Sequence, residues 1–239
     1  MKLSNKSAPV TATNVVSMVG QLDRDIQELK ESLLLMATLA ERAVYQSVTA
    51  LLDSDDALAE HVLHEEADVN DLHVKIDDGV IRLLAAKQLS GPQLRFALAV
   101  TRINSNLERI GDQAVNIAEA VLRIMEYPRI KPYVDLPKMS TVAKEMVRDS
   151  LNALVNHDEE LAKSVLVRDD QLDALRDRIY QELLTYISGN PSLVLPAFDL
   201  ILVAKDLERI GDLATNIAEE VIYVVAGRDV RHQSDRAFL

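Results

Sequence analysis

Two fifteen-residue stretches carry the side chains best suited to chemistry. LERIGDQAVNIAEAV runs from 107 to 121 and LERIGDLATNIAEEV from 207 to 221, with twelve identical positions at an offset of one hundred. Within them Glu108, Asp112, Asn116 and Glu119 recur as Glu208, Asp212, Asn216 and Glu219. On a helix turning about 100° per residue, these oxygens share a sector of roughly 80°, nearly opposite the apolar seam. Like charges at i,i+4 cost an isolated helix about 0.2–0.5 kcal/mol, so a cation would relieve them. Carboxylate and amide oxygens are hard donors, suited to Mg, Ca, Mn or Fe more than to soft metals. The expectation is an acidic face, turned outward twice.

A weaker repeat lies upstream. Residues 51–72 align with 154–175 at an offset of 103, pairing Asp55 with Asp158 and Leu72 with Leu175. Asp169 and Asp173 are again four apart, and their counterparts in the first copy are Glu66 and Asn70. Two neighbouring helices per copy could therefore bring four oxygen-bearing side chains to one site. The plainer readings are a solvated helix face and an arginine–carboxylate network through Arg109 and Arg209. Gly111 and Gly211 fall at matching places inside the motif. Glycine there costs about 1 kcal/mol relative to alanine, which close helix approach or simple inheritance from a duplicated ancestor would explain.

Other constellations carry less. His61, His64, Glu65 and Asp68 have helical spacing, but the second copy holds Ser164, Val167, Arg168 and Gln171 there, so ordinary surface histidines are expected. His73, His157 and His232 are isolated and receive no role. The chain has no cysteine, which excludes disulfides and thiolate chemistry. Neither a Gly-rich phosphate loop nor a nucleophile-elbow motif occurs.

The elements that must position these groups are helices. No stretch keeps a period of two, and the apolar positions step by three and four. The third helix of each copy has the cleanest seam, through Ile103, Leu107, Ile110, Ala114, Ile117 and Val121, then through Leu207, Ile210, Ala214, Ile217 and Val221. Helices are expected over 17–52, 55–88 and 92–127, then over 138–156, 158–188 and 192–226, with Pro196 near the start of the last. Asp53, Ser54 or Asp55 can cap the second helix and Asp158 the fifth; Gly227 suits a C-terminal cap. Pro128, Pro132 and Pro137 mark a linker over 128–137. The fold class is all-α: two tandem, pseudo-symmetric three-helix bundles over 17–127 and 138–227, with loose tails at 1–16 and 228–239.

Composition sets the outer bounds. The 239 residues are 48% apolar with 4% aromatic, so Leu, Ala, Val and Ile must pack the core. A formal net charge of −12 argues against nucleic acid, whose phosphates call for a basic face, and fits a cation or a basic protein partner. No stretch is apolar enough to span a membrane, and the first residues lack a signal-peptide core, so a soluble cytoplasmic protein is expected.

The LERIGD…NIAE context resembles the PhoU family of phosphate-uptake regulators, whose hallmark is a repeated E(D)-x-x-x-D motif on two similar three-helix bundles. Glu108/Asp112, Glu208/Asp212 and Asp169/Asp173 match that motif, Glu66/Asn70 departs from it, and GRDVRH at 227–232 is also similar to the family. The resemblance covers nearly the whole chain. It implies a non-enzymatic negative regulator of the phosphate-starvation response and of phosphate uptake. Such a regulator couples a phosphate ABC transporter ATPase to a sensor histidine kinase, reaching the membrane only through its partners. Homodimers and iron, zinc or another divalent metal on the motif faces are further implications. Another class remains open, a metal-dependent hydrolase with a carboxylate-bridged cluster, which would need an open coordination position and a general base.

Overall fold

The computed structural model describes residues 12–85, 89–128, 130 and 135–231, with side chains from Gly20 onward. Six α-helices and no strand occur among them: α1 Ala12–Asp53, α2 Asp56–Ala85, α3 Gly91–Ile124, α4 Asp135–Asn156, α5 Glu159–Gly189 and α6 Val194–Ala226. A short 3-10 turn, Pro191–Leu193, precedes α6.

Local chemistry ends and restarts the helices the same way in both copies. The backbone turns left-handed at Ser54 (φ 56°) and at His157 (φ 54°), which are equivalent positions. The next N–H then reaches back, Asp55 to the Ala50 carbonyl at 3.0 Å and Asp158 to Ala153 at 2.9 Å. Those two aspartates cap the following helices by accepting from Leu58 N–H and Leu161 N–H, each at 2.9 Å. At α3, Gln93 Oε1 accepts from Ser90 N–H at 2.8 Å, one half of a capping box.

Several boundaries differ from the sequence expectation, among them the end of α3, which stops at Ile124 rather than 127. Helix α1 begins by Ala12, five residues early. Helix α4 begins at Asp135, so Pro137 lies in its first turn, where no helical N–H bond is required, and not in the linker. Helix α6 begins at Val194 behind its 3-10 turn. The C-terminal segment is not loose up to Arg231: Gly227 (φ 67°) caps α6 in the left-handed conformation and Val230 is buried. Arg228 then pairs with Glu159 at 2.6 Å. His232 and the remaining tail, residues 1–11, and Pro132 lie outside the described residues.

The two bundles share one core. Among the described residues, helix α3 packs on α6 and α1 on α4, whereas α2 touches only α1 and α3, and α5 packs only within its own repeat. Helices α1, α3, α4 and α6 therefore make the centre, with α2 and α5 as outer flanks. The α3–α6 contact is antiparallel, because Arg102 near the start of α3 meets Glu220 near the end of α6, and Arg123 meets Asp199. Seam residues Ile103, Leu107, Ile110, Leu207, Ile210 and Ile217 are fully buried.

Candidate functional site

The motif faces lie along the α2–α3 and α5–α6 seams, not out on open helix surfaces. Glu108, Asp112, Glu208 and Asp212 are all half-buried, as are Glu66, Asp169 and Asp173, while Asn70 is exposed. The stripe turns away from the flanking helix towards its C-terminal end. There Asn216 and Glu219 line a cleft of about 270 Å³ with Arg102, Asn106 and Arg231.

The matching glycines are explained by packing. A Cβ on Gly111 would lie 3.3 Å from Val69 Cγ1, and one on Gly211 would lie 2.2 Å from Leu172 Cδ2. Val69 and Leu172 are themselves repeat equivalents. Each glycine lets the flanking helix approach closely, which brings the carboxylates of the two helices to one seam.

In the second repeat that seam is closed by an arginine. Arg176 Nη1 donates to Glu208 Oε1 at 2.7 Å and to Asp173 Oδ1 at 2.9 Å, while its Nη2 donates to Asp177 at 2.9 Å. Arg209 Nη1 donates to Asp212 Oδ2 at 2.9 Å. Burial, then the charge of Asp212, holds the Glu208 carboxyl above its ordinary pKa although Arg176 pulls it down. Burial works against the Arg176 charge too, but Asp177, Asp173 and Glu208 outweigh it and raise its pKa. Glu208 thus rises chiefly through burial, and Arg176 because several carboxylates surround its guanidinium.

The first repeat has His73 at the position of Arg176. Its Nε2 is 3.6 Å from Asp77 Oδ2, and its Nδ1 is buried with no hydrogen-bond partner. Burial and then Glu108 raise the pKa of Asp112, against the pull of Arg109 and His73. The buried Asn104 donates to the His73 carbonyl and to Asp77, each at 2.9 Å. Thus the first face keeps an acidic pair without a bridging guanidinium.

These arrangements bear on a metal in different ways. In the second repeat arginine takes one oxygen each of Glu208, Asp173 and Asp212, so that face as it stands does not fit a cation. In the first, Glu108 and Asp112 keep a donor chemistry that fits. Among the described residues no three His, Asp or Glu side chains gather so as to hold an ion as they stand. His61 sits 3.2 Å from Glu65, which Arg42 also pairs at 2.7 Å, an ion-pair arrangement of two exposed cations around a half-buried carboxylate.

Sequence reasoning missed the charges between the repeats. Glu220, only 4% exposed in its side chain, is held by Arg102 Nη1 at 3.0 Å and Arg231 Nη1 at 3.0 Å, and Arg231 also pairs with Asp229. Arg123 Nε meets Asp199 at 2.9 Å. The available signal was divergence: Arg102, Glu220, Arg123 and Asp199 stand opposite Leu202, Ala120, Tyr223 and Ala99 in the other copy.

The PhoU domain matches residues 33–121 and again 136–221, one match per bundle. The chain belongs to the PhoU family. A phosphate-specific transport system accessory protein PhoU homolog from Aquifex aeolicus is 38% identical over 89% of this chain and 96% of its own. The Pseudomonas putida homolog is 35% identical over 89% of this chain and 83% of its own. The crystal structure of PhoU from Pseudomonas aeruginosa superposes with a TM-score of 0.83 at 32% identity, covering 86% of this chain and 99% of that one. The duplicated PhoU unit is therefore the repeat seen in the sequence. No helix among the described residues is long and apolar enough to cross a membrane.

Proposed function

We propose that this PhoU-family chain is a non-enzymatic cytoplasmic adaptor that represses the phosphate-starvation response and phosphate uptake. Its partners are a phosphate ABC transporter ATPase and a sensor histidine kinase, and it works as a homodimer. Beyond the family match, one observation supports docking. Ile81, Leu94 and Leu98 near the α2–α3 turn are exposed, and so are their equivalents Leu184, Val194 and Phe198 near the α5–α6 turn. Core packing does not require apolar side chains there, and repeated exposed apolar positions fit a surface that meets proteins. On the first acidic face, Glu108 and Asp112 would hold a divalent cation, iron or zinc among the candidates, with Glu66 and Asn70 of α2 nearby in the repeat pattern. Bound there, the ion would supply the positive charge that Arg176 supplies in the second repeat.

The test is capture with tagged protein from phosphate-rich cells, together with a Leu98→Asp, Phe198→Asp chain of unchanged helix content. The native chain should recover both the ATPase and the kinase, and the variant should lose both along with repression. Recovery of neither by the native chain, or normal repression by the variant, overturns the reading.

A further inference from the structure

We infer that Arg176 is a built-in cation that takes the place of a metal in the second repeat, so the acidic face of Asp169, Asp173, Glu208 and Asp212 binds none. The family resemblance would place metal on all motif faces alike. The geometry separates them. A hard cation such as Mn²⁺ or Ca²⁺ needs oxygen lone pairs converging at roughly 2.0–2.6 Å on one point. In the α5–α6 seam one nitrogen, Arg176 Nη1, already occupies the place between Glu208 and Asp173, at 2.7 and 2.9 Å. Arg209 takes an oxygen of Asp212 at 2.9 Å. An ion entering there would displace charge-assisted hydrogen bonds and sit beside a guanidinium that cannot lose its proton. The Arg176 side chain is 23% exposed and Glu208 24%, so this repulsion would be only partly screened.

The substitution is confined to one repeat. At the matching position α2 carries His73, too short to bridge to α3 as Arg176 does, and Arg109 acts on Asp112 only through space. The arginine also does mechanical work that a metal would otherwise do, tying α5 to α6 across the seam that Gly211 brings close.

The experiment isolates the second face in the full chain by Glu108→Gln with Asp112→Asn, and titrates Mn²⁺ while reading calorimetric heat and melting temperature. With Arg176 intact, saturable binding should be absent and the melting temperature should not respond to Mn²⁺. Adding Arg176→Gln should create saturable binding and a melting temperature that climbs with Mn²⁺. Arg176→Lys, which keeps the charge, should behave like the arginine. Saturable binding with Arg176 intact that Glu208→Gln and Asp173→Asn abolish would overturn the inference. So would a folded Arg176→Gln chain that gains no binding. If Arg176→Gln melts too low to titrate, the arm with Arg176 intact decides alone. The first face is judged separately: a native chain that takes no Mn²⁺ removes the cation proposed for Glu108 and Asp112 and leaves this inference standing.

Discussion

The two repeats are nearly identical along their motif helices and differ in what faces them. In the second, Arg176 ties α5 to α6 through Asp173 and Glu208; in the first, His73 stands in its place and the acidic pair Glu108/Asp112 is left without a bridge. The repeats differ again where they meet. Helix α3 supplies Arg102 and Arg123, and α6 supplies Glu220 and Asp199, while all four counterparts are uncharged. Identity between copies therefore marks packing that each bundle makes within itself. Divergence marks contacts that pseudo-symmetry does not supply, and it comes in complementary pairs because one buried charge alone is costly.

The largest effect should come from the most similar positions. Gly211→Ala pushes a Cβ to 2.2 Å from Leu172 Cδ2, with Leu172 fully buried and Met146 also close. Overpacking of this kind costs about 1–3 kcal/mol, although alanine returns about 1 kcal/mol of helix propensity. Gly111→Ala meets Val69 Cγ1 at 3.3 Å, a contact that a small shift relieves. Urea unfolding of the full chain should thus show a clear loss of midpoint for Gly211→Ala and a change of roughly 1 kcal/mol or less, of either sign, for Gly111→Ala. Equal losses would mean that the α5–α6 seam is no tighter than the α2–α3 seam.

Of similar size is the effect of the charge that joins the repeats. Glu220→Ala leaves Arg102 and Arg231 facing an empty acceptor site, but Arg102 is 43% exposed and can turn to water. The loss should be about 1–3 kcal/mol, below the full penalty for breaking a buried pair. Replacing both members by their repeat counterparts, Arg102→Leu with Glu220→Ala, should recover part of it. If the double variant is as unstable as the sum of the singles, the two side chains are not coupled, and the paired divergence has another cause.

Much of this was legible in the sequence. The helix-long apolar seams and the exact recurrence of LERIGD gave six helices in two copies, and Asp55 and Asp158 cap where capping chemistry places them. Helix ends were less legible, because Pro137 and the residues before it suit either a linker or a first turn. The site was legible as residue types but not as surroundings. Periodicity places Glu108 and Glu208 opposite the seam, yet it does not say that α2 and α5 lie over that sector and half-bury it. Nor does it show Arg176 reaching Glu208 across 32 positions, although comparing His73 with Arg176 could have raised the question. The start of the tail, 228–231, was illegible for a similar reason: RDVR is polar along the chain, but its valine enters the core and Arg231 finds Glu220.

The smallest expected effect is one of pH, and it too comes from a position where the copies diverge. Glu41 on α1 is the counterpart of Lys144 on α4, as Tyr45 is of Arg148, and Lys144 lies over the Tyr45 ring at 4.9 Å. Burial pushes the Glu41 carboxyl up to about 7, against the pull of Arg148 and Lys144 and with a smaller push from Asp149. The folded chain thus keeps a proton that the unfolded chain has already lost. Its contribution to stability is fully present below the ordinary value of 4.5 and is lost as pH rises through about 7. Glu41→Gln keeps the shape and removes the titration. Its melting temperature should match the native chain at about pH 4 and exceed it at about pH 8, by a small margin because water reaches the half-buried group. An equal change at both pH values would show that Glu41 acts through packing, and the divergence between Glu41 and Lys144 would then be steric in origin rather than a matter of charge.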